Sequence, residues 1–274
     1  MLHEENARDY LCLRRPRSED GAAFVTQSDR TAIVDWLYDI VDAYRFDLGL
    51  VAVAMGMVDR FLSKPSDLAQ DALRDRHRFQ LVAIAALSIG LETEPQIPSA
   101  SALLAAATRP LYSVAEIKDA AARLGEGLAS HLHAPTSLQL AEHVLSLALP
   151  GVPLAESRWS CVLDDVRFQL EYAVRDYFFT LARPRTAAVA AVLNAVDHVT
   201  GPERHALLRD LPPLVEAHCP SLPDLVAAKH RLRVVMGRDC FEDDTTAMSD
   251  EILGSLGDAT GGRTFPGFSL ASCA

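Results

Sequence analysis

Two adjoining stretches decide the fold: Arg30-Thr-Ala-Ile-Val-Asp-Trp-Leu37, and Leu48-Gly-Leu-Val-Ala-Val-Ala-Met-Gly-Met-Val-Asp-Arg-Phe-Leu62. In and just after the first, Ala32, Ile33, Trp36, Leu37, Ile40, Val41 and Tyr44 recur three and four residues apart, the spacing of one helix face. Ser28 or Asp29 is placed to accept hydrogen bonds from the free amides of the first turn. The second stretch is apolar on nearly every side. A helix of that kind is buried on most sides, so 48–62 should form the centre of a bundle. Arg30 and Asp59 are charges on these largely apolar segments.

Outward from this centre, the pattern stays helical. A polar connection over 64–76 contains Pro65, and a third apolar segment follows over 78–91 until Pro95 and Pro98 end it. A short helix is expected over 99–107. Ser113 and Glu116 form a Ser-x-x-Glu capping box that opens a fifth helix over 114–131. Beyond Pro135 the spacing predicts helices over 137–147, 159–181, 186–199, 202–217 and 222–235, punctuated by prolines. No alternating strand pattern of useful length occurs. The expected architecture is all-α: two tandem five-helix units, 28–134 and 135–236, after an N-terminal extension over 1–27. The Gly-rich polar tail, 237–274, buries too little apolar surface to offset its ordering entropy and is expected to be disordered.

Composition agrees with this and narrows the chemistry. Of 274 residues, 49% are hydrophobic but only 7% aromatic, usage that favours helix over sheet. A net charge of −11 opposes general nucleic-acid binding. The five cysteines are widely spaced with no Cys-x-x-Cys, as expected of reduced thiols in an intracellular protein. The N-terminal residues lack a signal-peptide pattern, and the most apolar run, 81–91, is too short to span a bilayer. A nuclear and cytoplasmic protein, associated with neither membrane nor nucleic acid, is expected. The basic cluster Arg14-Arg15-Pro16-Arg17 reads as a solvated tail or a nuclear import signal, and Arg8-x-x-Leu11 as a chance match or a minimal destruction motif.

No phosphate loop, nucleophile elbow or His-Glu-x-x-His motif is present. His131 and His133 lie two apart, on different helix faces, and His218-Cys219 has no second pair nearby, so no metal site is expected. Glu92 and Glu94 read as solvated acids at a helix end rather than a catalytic pair. Neither a cofactor nor an enzymatic activity is expected.

The ordered succession of motifs resembles the cyclin family. Arg30-Thr-Ala-Ile-Val-Asp-Trp-Leu37 and Val58-Asp-Arg-Phe-Leu-Ser63 are similar to the first two helices of a cyclin box. Gln80-Leu-Val-Ala resembles the third, Leu111-Tyr-Ser-x-x-Glu-Ile117 the opening of the fifth, and Ala134-Pro-Thr136 the linker between the two cyclin folds. Gln169-Leu-Glu-Tyr, Pro184-x-x-Ala-Ala-Val-Ala-Ala191 and Ala227-Ala-Lys-His230 resemble the second fold. This resemblance implies a regulatory subunit that binds and activates a cyclin-dependent protein kinase, with a cyclin-fold adaptor that activates no kinase as the alternative. It implies an internal ion pair between Arg30 and Asp59, a substrate-docking groove at Ala32, Ile33, Trp36, Asp39 and Gln80 for Arg-x-Leu-type motifs, and a kinase interface around Glu92, Glu94, Val114, Ile117 and Ala121. The sequence departs from the family pattern in the groove, where Ala32 replaces an isoleucine, and on the kinase-facing side, and its 64–78 connection is longer than usual for the family. The first groove residue is Asp29 rather than methionine, making the groove more acidic. Glu92 and Ala121 occupy the positions of the lysine and glutamate that grip the kinase. A glutamate donates none of the hydrogen bonds of a lysine.

Overall fold

The computed structural model describes residues 24–93, 97–108, 111–129, 132, 134–148, 156–197, 199–200, 202–219, 221–237 and 248–259. Among them the chain forms thirteen helices and no strand. The first bundle comprises α1 (Gln27–Ala43), α2 (Gly49–Leu62), α3 (Asp67–Arg74), α4 (Arg76–Leu91), α5 (Ala100–Ala107) and α6 (Val114–Leu128). The second comprises α7 (Ser137–Ala148), α8 (Glu156–Arg175), α9 (Tyr177–Leu181), α10 (Pro184–Val196), α11 (Pro202–His218), α12 (Leu222–Val235) and α13 (Met248–Ala259).

The centre expected at α2 is taken by α4, which packs against α1, α2, α3, α5 and α6; α2 packs against α1, α3, α4 and α6, and against α8 of the second bundle. The buried residues of α2, including Val51, Ala54, Met55, Val58 and Leu62, cover most of the helix surface, while Gly49, Ala52, Val53, Gly56 and Arg60 form a partly exposed stripe. α6 comes close enough to α2 that a Cβ on Gly127 would lie 2.8 Å from the Phe61 ring. α10 takes the central place in the second bundle, contacting α7, α8, α11, α12 and α13, with every residue from Thr186 to Val196 buried.

Several local expectations are corrected. Thr26, not Ser28 or Asp29, caps α1; Asp29 is the reciprocal partner of a capping box, its carboxylate accepting from the Thr26 amide at 2.9 Å. The 64–76 connection contains α3, capped by Ser66, with Ala69, Ala72 and Leu73 buried. Asp75 then caps α4, which therefore starts at Arg76. The helix expected over 159–181 is broken at Asp176, whose backbone is extended and whose side chain accepts from the Phe178 amide to start α9. The tail expected to be disordered contains α13. Ile252 and Leu256 are buried in the second core, and Arg204 and Lys229 pair with Glu251 and Asp250. The two bundles thus hold six and seven helices among the described residues, rather than five each.

Candidate functional site

The Arg30–Asp59 pair is at the centre of the molecule. Arg30 lies in the first turn of α1 on its core side, and Asp59 is near the end of α2. Arg30 Nε and Nη2 donate to the two carboxylate oxygens at 3.0 and 2.7 Å, a bidentate pair with side chains 3% and 7% exposed. The pair is not confined to the first bundle. Arg30 Nη1 donates to the carbonyl of Val174 on α8 at 2.7 Å, and the Thr180 hydroxyl reaches Asp59 at 3.4 Å. Burying two charges is costly unless each is hydrogen-bonded as well as paired. Here the remaining donor capacity of Arg30 is used on the second bundle, so one ion pair ties the two halves together.

A second strap lies alongside. Arg175 Nε donates to Asp35 at 2.7 Å, and its guanidinium lies 4.3 Å from the centre of the Tyr38 ring. The Tyr38 hydroxyl donates to the Glu171 carbonyl and the Thr31 hydroxyl to that of Arg175. Burial pushes the Tyr38 phenol well above its ordinary pKa. Thr31, Asp35 and Tyr38 therefore form the face of α1 that meets the second bundle. None of these contacts was legible in the sequence, where the partners stand more than a hundred residues apart.

The groove residues occupy a different face of α1. At 3.6 residues per turn, Ala32, Trp36 and Asp39 are turned roughly a quarter-turn from the inter-bundle face. Ala32 and Asp39 are exposed, while Ile33 and Trp36 are partly buried against the first core. Gln80 is on α4, which packs against α1; its side-chain oxygen accepts from the Tyr112 hydroxyl at 3.0 Å. The single Tyr112 hydroxyl proton is shared with the His77 carbonyl at 2.9 Å, and burial pushes the Tyr112 pKa up to about 12. Asp29, expected to make the groove acidic, is committed elsewhere. Besides the Thr26 cap it pairs with Arg76 at 2.9 Å; burial raises its pKa, but these bonds outweigh it and the net shift is downward.

On the expected kinase face, Glu92 caps the C-terminus of α4 and is exposed. Val114 opens α6 and is 37% exposed, and Ala121 is half-buried on the same helix. Glu94 falls outside the described residues. Ile117 is corrected: it is fully buried in the first core and presents nothing to a partner. The sequence held the signal, since Ile117, Leu124 and Leu128 form the apolar stripe of α6 and all three are buried. Helices α4, α5 and α6 pack on one another. Among the described residues the second bundle meets the first chiefly through α8 on α1 and α2, with Tyr177 of α9 entering the first core, rather than through α4, α5 or α6. Among the described residues no group of three or more His, Cys, Asp and Glu is arranged to hold a metal ion, and no helix is long and apolar enough to cross a membrane.

Two stacked all-helical bundles, each built round an apolar central helix and joined through a buried arginine–aspartate pair, define a protein of the cyclin fold. The cyclin N-terminal domain family matches residues 2–133, so the first half of the chain carries that domain. Among solved structures it is similar to a viral cyclin from herpesvirus saimiri, at 14% identity and a TM-score of 0.60, over 78% of this chain and 88% of that one. It is also similar to a chain of the CAK complex from Chaetomium thermophilum bound to ATP-gamma-S, at 14% identity and a TM-score of 0.53, over 87% of this chain and 79% of that one. No curated protein matches the sequence.

Proposed function

We propose that this protein is the non-catalytic regulatory subunit of a cyclin-dependent-type protein kinase. The observation that carries this reading is a cyclin N-terminal domain whose α4–α6 face, among the described residues, lies away from the side where α8 of the second bundle packs. Such a face, on a rigid support, can bias a mobile element of a kinase by binding one of its positions more tightly than the other. Glu92, Val114 and Ala121 are the contacts from this side. The groove at Ala32, Ile33, Trp36, Asp39 and Gln80 is the companion reading, a docking place for Arg-x-Leu segments. The apolar Ile33 and Trp36 would receive the leucine and Asp39 would attract the cation.

One observation favours a second reading, an adaptor that binds a kinase or another protein without activating it. Glu92 brings a negative charge where a lysine would donate hydrogen bonds, and Ala121 brings no charge at all. Co-purification with recombinant cyclin-dependent kinases, followed by a phosphorylation assay, separates the two. Binding with stimulated activity supports the regulatory subunit; binding without stimulation supports the adaptor. The double change Glu92→Lys with Ala121→Glu should strengthen binding to a standard cyclin-dependent kinase. If it changes neither binding nor activity, the α4–α6 face is not the interface.

A further inference from the structure

Between the two bundles is a half-open cleft of about 140 Å³, walled by α2, the 134–136 linker with the start of α7, α8 and the residues around α9. Its charges are unequally used. Arg30 and Asp59 satisfy one another at its base. Arg167, at the rim, is paired with Glu142 at 3.1 Å. Arg60 also lines the cleft, but its Nε is buried with no hydrogen-bond acceptor among the described residues. Burial pushes the Arg60 pKa down, and the neighbouring Asp59 offsets this only in part. The guanidinium nevertheless stays charged at neutral pH. Gly56, one turn earlier on α2, makes room for it: a Cβ there would lie 3.3 Å from Arg60 Nη1.

The opposite wall adds further donors. Thr136 caps α7 by a reciprocal pair of bonds with Gln139, at 3.0 and 3.2 Å. The next residues, Ser137 and Leu138, also line the cleft, and their amides belong to the helix's first turn, which has no partners within the helix. Such amides favour an anion.

We propose that this cleft binds a single carboxylate held by Arg60. The volume selects for size, since about 140 Å³ is well below the roughly 300–1,000 Å³ of whole-metabolite pockets. It suits a carboxylate on a short aliphatic stem, with Leu48 and Val53 beside the stem. Charge selects against a phosphate. Glu171 lines the same cleft, and its carboxylate would repel a dianion more than a monoanion. The carboxylate comes from a small aliphatic acid or from an aspartate or glutamate side chain of a bound polypeptide.

The test uses the full chain with ¹⁵N-labelled arginine, following the Nε–Hε resonance of Arg60, assigned by its loss in Arg60→Gln. Propionate, N-acetyl-glutamate α-amide, inorganic phosphate and propionamide are titrated at constant ionic strength. Propionate is expected to move the Arg60 resonance saturably, with phosphate at least about tenfold weaker and propionamide without effect. The thermal midpoint should rise with propionate in the wild type and not in Arg60→Gln. An unchanged Arg30 Nε–Hε resonance in that variant shows that the fold is kept. A saturable response to propionate alone assigns the site to small acids; a response to the glutamate compound as well assigns it to polypeptide side chains. An unsaturable response, an equal response to propionamide, a stronger one to phosphate, or a midpoint rise that persists in Arg60→Gln overturns the proposal. No kinase enters the experiment, so its result is separate from that of the kinase assay.

Discussion

Asp59→Asn is the most informative single change, because it keeps the shape of the buried pair and removes only its negative charge. Arg30 would then be left almost wholly out of water, holding the Val174 carbonyl at 2.7 Å but facing a neutral amide where it had two charge-assisted bonds. Breaking a buried pair from one side costs about 3–5 kcal/mol. That is a large fraction of the roughly 5–15 kcal/mol that holds a folded domain together. At roughly 2–4 °C per kcal/mol for a chain near this size, the thermal midpoint should fall by roughly 6–20 °C. Urea denaturation of wild type, Asp59→Leu, Arg30→Met and Arg30→Met with Asp59→Leu closes the double-mutant cycle, with Asp59→Asn measured beside it. The double change removes both charges and should recover most of the loss, except about 1 kcal/mol for the hydrogen bond to Val174. Two results would refute the reasoning. One is a loss under about 1 kcal/mol in either single variant, the worth of an exposed pair. The other is a double variant whose loss is the sum of the two singles, which would mean that the charges do not interact.

Glu171→Gln should act in the opposite direction and depend on pH. Burial raises the pKa of Glu171 in the folded state, so holding it ionised opposes folding above that pKa, and the penalty disappears once pH falls below the unfolded value. The variant's midpoint should exceed wild type at pH 8 and converge with it near pH 4; a constant difference would contradict this. Gly127→Ala forces a methyl group against the Phe61 ring and should cost about 1–3 kcal/mol in urea denaturation, as overpacking does. Ile252→Ala empties a fully buried position under α13 and should cost about 2–5 kcal/mol. If it is neutral, α13 does not belong to the second core.

The helices themselves were legible because each is encoded locally. The Ser113–Glu116 capping box predicted the start of α6, and its two bonds are formed, at 2.8 and 3.2 Å. The burial of most of α2 followed from its apolar sequence, but the central place went to α4, which packs on all five other helices of the bundle. Where local reading failed, the local signal was weak. α3 buries two alanines and one leucine, little apolar area for a helix, and the polar residues round them read as a connection. α13 offers Ile252 and Leu256 among acids and glycines, and is fastened by Lys229 and Arg204, which lie outside its own segment.

Sequence alone determined the all-α class and, by way of the family resemblance, the two-bundle division and the pairing of Arg30 with Asp59. Periodicity and capping act within a few residues, so one stretch of chain suffices to specify them. Tertiary structure decided what those charges do next. It brought the carbonyl of Val174 to Arg30 across 144 positions, put Arg175 on Tyr38 and Asp35, turned Ile117 inward, and left Arg60 at a cleft with no acceptor on its Nε. Such partners are chosen by how two finished surfaces fit, and no window of sequence contains both.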